Sequence, residues 1–288
     1  MSSPILFQKL LLFWFKKNKR DLPWREVPRD PYHILVSELM LQQTQVSRVL
    51  PKYKAFLSKW PTIESLSRAK LSEVLIAWQG LGYNRRAKYL LETAKILVGK
   101  TFPSETKELQ RLPGFGPYMV SAIRVFAFNF QEVVMDVNVK RVYGRLDIDP
   151  FVPKGKADEW HQALMDFGAL VCTARQPHCE ACVLSKICSA NSKAKVGGYQ
   201  NFADFLIANP AKKKMSKKDV GKKFEETDRY FRGRIIDFLR QGESSMLLLQ
   251  THIVETHKLS DRKRFGTIIE SLVIDGLICI RANKVYLA

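Results

Sequence analysis

Residues 172–188 read CTARQPHCEACVLSKIC and hold four of the chain's five cysteines, Cys172, Cys179, Cys182 and Cys188, in the spacing C-x6-C-x2-C-x5-C. Thiols crowded this closely suit a metal centre in a reducing compartment better than a disulfide framework. Four thiolates hold either an iron–sulfur cluster or a structural zinc, and the donor chemistry alone does not separate the two. The loop between the first two ligands carries Arg175 and His178, so it is expected either to reach a phosphate or simply to be solvated.

Upstream of the cysteines the pattern is helical. From Pro31 to about Leu170, apolar residues recur at three- and four-residue spacing, and Pro51, Pro61, Gly80, Gly82, Pro103 and the run Pro113 to Gly116 punctuate the segments. Strand signals are nearly absent there. In Leu112-Pro113-Gly114-Phe115-Gly116, Gly114 and Gly116 close a tight hairpin between helices, a turn that can present backbone N–H groups to a phosphate without reading sequence. In the helix Ser37 to Val46, SELMLQQTQV, Glu38 lies among apolar neighbours. Partial burial there would raise its pKa and keep it available as a general acid; an ordinary exposed helix glutamate is the plain alternative.

At the N-terminus, Ile5 to Phe15 is apolar but interrupted by Gln8 and Lys9, and its basic residues follow it. It reads as an amphipathic helix on the core rather than a signal peptide or membrane anchor. Downstream, PAKKKMSKKDVGKK at 210–223 reads as a flexible basic linker. The tail reads as helices at Tyr230 to Leu239 and around Arg262 to Val273, then the alternating pair LICIR and KVYLA joined through Ala282 and Asn283. Helices followed by a hairpin suggest a small winged-helix domain, the alternative being a helical pair packed on the main body.

The 47 Lys and Arg against 28 Asp and Glu give a net charge of +19. That exceeds what solubility requires and favours a polyanionic partner, nucleic acid first, although ribosomal and membrane-surface proteins are as basic. The expected setting is intracellular, the cytoplasm or nucleoid of a prokaryote, with no membrane association and a monomeric chain.

Taken together, the cysteine spacing resembles the cluster loop of the endonuclease III and adenine glycosylase family. The strings Asp21-Leu22-Pro23-Trp24-Arg25, SELMLQQTQV and Trp78-Gln79-Gly80-Leu81-Gly82-Tyr83 resemble the adenine DNA glycosylases of the MutY type, from about residue 20 to 190. The resemblance implies a [4Fe-4S] cluster with a structural role and a double-stranded DNA partner containing a mispair. It implies that Glu38 protonates the departing base and that Asp136, in VVMDVNVKRV, stabilises the sugar cation. Two carboxylates in different environments suit such hydrolysis, because one must donate a proton while the other stays charged. Tyr118 stands where bifunctional relatives carry a Schiff-base lysine, which implies a monofunctional enzyme, and the same tyrosine occurs in a thymine glycosylase group. Gln42 and Gln43 resemble the adenine branch, Tyr83 resembles a tyrosine that wedges into the duplex, and Arg25 and Asn138 match positions that frame the pocket.

Two features depart from that pattern. Val137 follows Asp136 where adenine glycosylases commonly have glycine, which implies a narrower or reshaped pocket floor. No MutT-like C-terminal domain is expected; the tail looks like that of a shorter bacterial branch. The expected fold is therefore mostly α, a helix-hairpin-helix DNA glycosylase fold. A six-helix barrel at 21–124 and a cluster domain at 1–20 and 125–195 are joined by a basic linker at 196–226 to a winged-helix-like domain at 227–288. Glu38 and Asp136 are expected across the cleft between the first two. The expected reaction is removal of adenine opposite guanine or 8-oxoguanine. The rivals are a thymine or uracil glycosylase acting on G·T or G·U mispairs, and a non-catalytic winged-helix DNA-binding protein.

Overall fold

A computed structural model describes residues 4–208, 223–259 and 261–288. In chain order the helices are α1 (Pro4–Asn18), α2 (Pro31–Leu41), α3 (Val46–Lys59), α4 (Ile63–Ser67), α5 (Leu71–Ala77), α6 (Arg85–Leu97), α7 (Thr106–Leu109), α8 (Pro117–Phe128), α9 (Val137–Leu146), α10 (Ala157–Leu170), α11 (Ser189–Val196) and α12 (Phe202–Ala208). The tail follows as α13 (Asp228–Leu239), β1 (Ser244–Ser245), α14 (Met246–His257), α15 (Arg262–Ile274), β2 (Ile278–Arg281) and β3 (Lys284–Leu287). The mostly helical fold agrees with the sequence reading, and among the described residues strands occur only in the tail. No helix among them is long and apolar enough to cross a membrane.

The chain divides into two compact units, one comprising Met1–Ile34, Pro103–Arg111 and Phe115–Lys213, the other Leu35–Phe102, Leu112–Gly114 and Lys214–Ala288. This division differs from the expected one at both ends. Residues 21–34 and α8 join the cluster unit, and the tail joins the barrel helices instead of standing alone. The expected linker at 196–226 contains α12 and a short 3-10 turn at Phe224–Glu226; its basic run, up to residue 222, lies outside the described residues.

The first unit is built on an aromatic core. Phe7, Leu11, Trp14 and Phe15 place one face of α1 against α10, and Val139, Val142, Tyr143 and Leu146 place one face of α9 there. The Phe7 and Trp160 rings meet edge to face at 5.0 Å. Each buried ring of this kind contributes roughly 2–3 kcal/mol. The polar atoms are also paired, since the Trp160 indole N–H reaches Tyr143 Oη at 2.9 Å and that hydroxyl donates to the Phe151 carbonyl at 2.8 Å.

One charge is locked into this unit. Asp166 on α10 is fully buried and accepts from the Arg20 backbone N–H at 3.0 Å and Arg20 Nε at 2.7 Å. A two-pronged fork from Arg25 adds bonds at 2.9 and 2.8 Å. Burial alone would push the Asp166 carboxyl up, but the hydrogen bonds and charges of Arg25 and Arg20 outweigh it and hold the carboxyl below its ordinary value.

In the second unit α6 packs on α4 and α5, and the tail runs helix, strand, helix, helix, strand, strand, the order of a winged helix. The sheet order is β1-β3-β2, with Ile278 opposite Leu287 and Arg281 opposite Lys284. Ala282 and Asn283 join β2 to β3 with φ of 47° and 63°, the left-handed pair of a two-residue hairpin turn. The tail is tied to the barrel helices by Arg240, whose Nε donates to the Leu75 carbonyl at 3.0 Å, and by Lys88, whose Nζ donates to the Asp275 carbonyl at 2.7 Å.

Asp166→Asn removes a charge on which two guanidinium groups rely, and the expected cost is about 3 kcal/mol. Because the folded carboxyl is held below its unfolded value, this contribution is complete above about pH 4 and is lost as the pH falls through the folded value. A thermal melt at pH 7 should therefore show the variant several degrees below wild type. Equal melting temperatures would remove Asp166 as the hub of this unit.

Candidate active site and cluster loop

Asp136 is the N-cap of α9. Its Oδ1 accepts the Val139 N–H at 2.6 Å and its Oδ2 accepts Asn138 Nδ2 at 2.9 Å. A helix N-terminus suits a negative charge, and two donors fix the carboxylate's rotation. Val137, at the first helical position, is 77% exposed, so it forms no packed floor beneath Asp136. The arrangement continues inward. Asn138 Oδ1 accepts Arg141 Nη2 at 2.6 Å, and the same guanidinium donates to the carbonyls of Gly168 at 2.6 Å and Cys172 at 2.7 Å. A Cβ on Gly168 would lie 2.7 Å from the Asn138 Cβ, so glycine is what lets α10 approach here.

The segment entering Asp136 is fixed from below by His161. This fully buried ring accepts the Val134 N–H on Nε2 at 2.9 Å and donates from Nδ1 to the Ala157 carbonyl at 2.7 Å. Those roles require the neutral ring. Burial lowers its pKa, outweighing the opposing pull of the Ala157 carbonyl and of the Asp158 and Asp136 charges.

The cysteine loop follows α10 directly. Arg145 holds it by donating from Nη1 to Cys172 Sγ at 3.3 Å and to the Thr173 carbonyl at 2.7 Å, and from Nη2 to the Ala174 carbonyl at 3.0 Å. Arg175 beyond them is exposed. Cys172, Cys182 and Cys188 pack against the aromatic core. Burial pushes the Cys182 thiol up to about 12, and charge on Cys172, Cys188 or Cys179 pushes it further the same way. Charge on Cys188 or Cys172 likewise raises the Cys179 thiol, a field that a cationic centre relieves. Among the described residues no set of three or more Cys, His, Asp or Glu side chains closes around a point for a single metal ion. Four thiols are the donor set that a four-iron cluster takes, and Cys172, Cys179, Cys182 and Cys188 would hold it.

In the second unit Glu38 is 8% exposed, on a helix buried on all sides from Ile34 to Met40. The end of that helix is organised by Arg86, itself 5% exposed. Its Nη1 donates to the carbonyls of Leu39 at 2.6 Å, Met40 at 3.0 Å and Gln42 at 2.6 Å. Its Nη2 donates to Thr44 Oγ1 at 3.1 Å and to the carbonyls of Leu81 at 2.9 Å and Gly82 at 3.1 Å. Burial lowers the guanidinium pKa to about 10, which still leaves it charged. One cation thereby joins two turns, the first carrying Gln42 and Gln43 and the second leading into Tyr83. Gln43 and Tyr83 both adopt left-handed backbone, with φ of 54° and 46°.

The remaining expected residues fall as follows. Gly114 has φ +81°, and a Cβ there would come 2.6 Å from the Tyr89 ring, so only glycine fits the turn. Gly116 is the N-cap of α8, whose first turn has Pro117 and a half-buried Tyr118 and no side-chain cap. Arg25 is committed to Asp166 rather than open to a ligand. Glu38 and Asp136 belong to different units. Gln42, Gln43 and Tyr83 come together on the wall of one cavity of about 1030 Å³.

Residues 36–160 match the HhH-GPD superfamily of base excision DNA repair proteins, and residues 172–188 match the iron-sulfur binding domain of endonuclease III. The adenine DNA glycosylase of Mycolicibacterium smegmatis is 36% identical over 287 residues, covering 93% of this chain and 91% of that protein. The chain belongs to the adenine DNA glycosylase family of the HhH-GPD superfamily. It is a DNA glycosylase of base excision repair and carries a [4Fe-4S] cluster. A thermostable thymine-DNA glycosylase superposes on the glycosylase with a TM-score of 0.60 at 31% identity, covering 66% of this chain and 96% of that one. Endonuclease III, trapped as a covalent DNA intermediate, superposes with a TM-score of 0.57 at 23% identity over 68% of this chain and all of that one, a likeness of fold. The mycobacterial match leaves too little of this chain uncovered to omit the C-terminal segment.

Sequence reading did not find Arg86, Arg141, Arg145 or His161. Each acts through backbone carbonyls or a distant amide, and nothing in its own neighbourhood of the chain marks it.

Purified glycosylase should be yellow-brown, with broad absorption near about 400 nm and about four irons per chain, and Cys182→Ser should lose both. Stoichiometric zinc in iron-free protein would overturn the cluster. A second expectation concerns pH. Because the folded protein binds a proton at His161 less readily than the unfolded chain, its contribution is complete above about pH 6.5 and declines as the pH falls toward the folded value. Melting temperatures from pH 8 to 5 should fall less in His161→Gln than in wild type, and parallel profiles would show that His161 carries no such load.

Proposed function

We propose that this glycosylase removes adenine mispaired with guanine or 8-oxoguanine, acting as a monomer on duplex DNA in the cytoplasm or nucleoid of a prokaryote. The observation that carries the reading is the paired turn held by Arg86, which sets Gln42 and Gln43 beside Tyr83. The adenine glycosylase name of a relative spanning nearly the whole chain supports it. The thymine-DNA glycosylase likeness favours the second reading, removal of thymine or uracil opposite guanine.

In the proposed reaction Glu38 donates its proton to adenine N7, which draws the electron pair of the breaking C1′–N9 bond onto the base. The sugar is left as an oxocarbenium-like cation. Asp136, fixed by Asn138 and the Val139 N–H, supplies the opposing charge without having to reorient. Water then adds at C1′, its released proton restores the Glu38 carboxyl, and an abasic site is left. Tyr118 offers no amine for an imine, so the strand stays intact until alkali cuts it. Arg175 on the cluster loop and the backbone at Gly114 and Gly116 grip phosphates.

Single-turnover excision on duplexes with A·8-oxoguanine, A·G, T·G and U·G, followed by alkali, tests the base. Breakage of only the thymine or uracil strands would replace adenine with the second reading. On the preferred duplex, Glu38→Gln should slow excision by about 100-fold or more. Asp136→Asn should remove about 3 kcal/mol of transition-state stabilisation while DNA affinity stays close to wild type. Near-normal excision by either variant would mean that another carboxylate does its work.

A further inference from the structure

The iron-sulfur match ends at Cys188, yet the chain continues into α11 and α12, and the proposed reaction uses neither. Two buried asparagines fasten this extension. Asn191, 5% exposed, donates from Nδ2 to the Ser185 carbonyl within the cysteine loop at 3.2 Å and accepts the Phe202 N–H on Oδ1 at 3.0 Å. Asn201 starts α12 by accepting the N–H groups of Ala203 at 2.8 Å and Asp204 at 3.1 Å. The first turn of α12 is thereby laid against the cysteines. The Ala203 N–H also reaches the Cys179 sulfur, and the Phe202 ring centre lies 5.0 Å from the Arg145 guanidinium that donates to Cys172 Sγ. Phe205 stacks on Phe202 at 5.7 Å with the ring planes 19° apart, and Tyr199 meets Phe205 edge to face at 5.4 Å.

Three half-buried rings on a tether of two buried asparagines are more than a linker needs. They supply what a cluster near a protein surface otherwise lacks, a layer of side chains where water would stand. The atoms around a metal centre control solvent access to it, and solvent exposure together with hydrogen bonds to the sulfurs sets the potential of an iron–sulfur cluster. Phe202 is placed to act on both, since its ring also covers the guanidinium that donates to Cys172, and a hydrogen bond strengthens where water is kept away. We propose that α12 is a cover for the [4Fe-4S] cluster, in which Phe202 keeps water and dissolved oxygen from the Cys172 and Cys179 side and Asn191 holds the cover down. Both are positioning residues that act on the cluster through its surroundings. The proposal is independent of which base the enzyme removes.

The experiment uses the full chain loaded with its cluster. Absorption near about 400 nm is followed in air-saturated buffer, iron release is read with a ferrous chelator, and the reduction potential is measured by voltammetry. Phe202→Ala should lose its cluster about tenfold faster than wild type. Its potential should also rise, because water that enters solvates the more negative, reduced cluster better. Phe202→Leu restores most of the bulk and should recover most of the protection. Asn191→Ala releases the cover and should behave as Phe202→Ala does. Val196→Ala, at a position 91% exposed on α11, is the control and should match wild type. Should Phe202→Ala not load iron, Phe202→Val leaves a smaller gap and is held to the same two readouts. Cluster loss at the wild-type rate, faster loss with an unchanged potential, or no recovery in Phe202→Leu would overturn the proposal.

Discussion

A carboxylate with no exposed surface needs its charge met on every side, and Asp166 meets that need with residues 146 and 141 positions away in sequence. Arg20 and Arg25 converge on it from the segment just after α1, so that segment cannot drift from α10. The rest of the first unit is hung from this point. With α1 laid along α10, Phe7 and Trp14 find the rings of Trp160 and Phe167. With α10 in place, α9 packs on it and presents Asp136 at one end, while Arg141 and Arg145 on its other turns clasp the loop that begins at Cys172. Asp136 and the cysteine loop are thus connected by a short run of hydrogen bonds, from Asp136 through Asn138 and Arg141 to the Cys172 carbonyl. That path links the Asp136 carboxylate to the start of the cysteine loop without contact between them.

The second unit uses a cation where the first uses an anion. A buried guanidinium has five donors and no acceptor, and Arg86 directs its Nη groups to five carbonyls and a hydroxyl. Carbonyls left over at a helix end and at a tight turn are the acceptors such a group requires. The left-handed conformations of Gln43 and Tyr83, unfavourable for residues with side chains, lie at the two turns it bridges.

What the sequence made legible was local. The cysteine spacing, the Pro113 to Gly116 turn and the strands meeting at Ala282 and Asn283 are short patterns whose chemistry is complete within a few residues. The N-terminal apolar face was equally plain, since α1 buries Phe7, Leu11, Trp14 and Phe15 on one side. The helix α14 was not read, because MLLLQTHIVETH spreads its apolar residues around the helix and buries only Leu249 and Ile253 among them. The Arg25 motif was visible but its partner was not, for no periodicity links residue 25 to residue 166. The docking of the tail escaped for the same reason: Arg240 reaches the Leu75 carbonyl and the Asn84 side chain, Lys88 reaches the Asp275 carbonyl, and no periodicity links these distant positions.

The same long-range closure governs how the chain comes into being. Asp166 is made 146 residues after Arg20, roughly seven to thirty seconds later at ordinary rates of synthesis. Throughout that interval α1, with its exposed aromatic stripe, waits outside the ribosome for a surface that has yet to emerge. The second unit closes later still, since the ties to residues 75, 84 and 88 need residues 240 and 275. Both halves are therefore stitched backward from their C-terminal portions, and a ribosome stalled midway would release neither half complete.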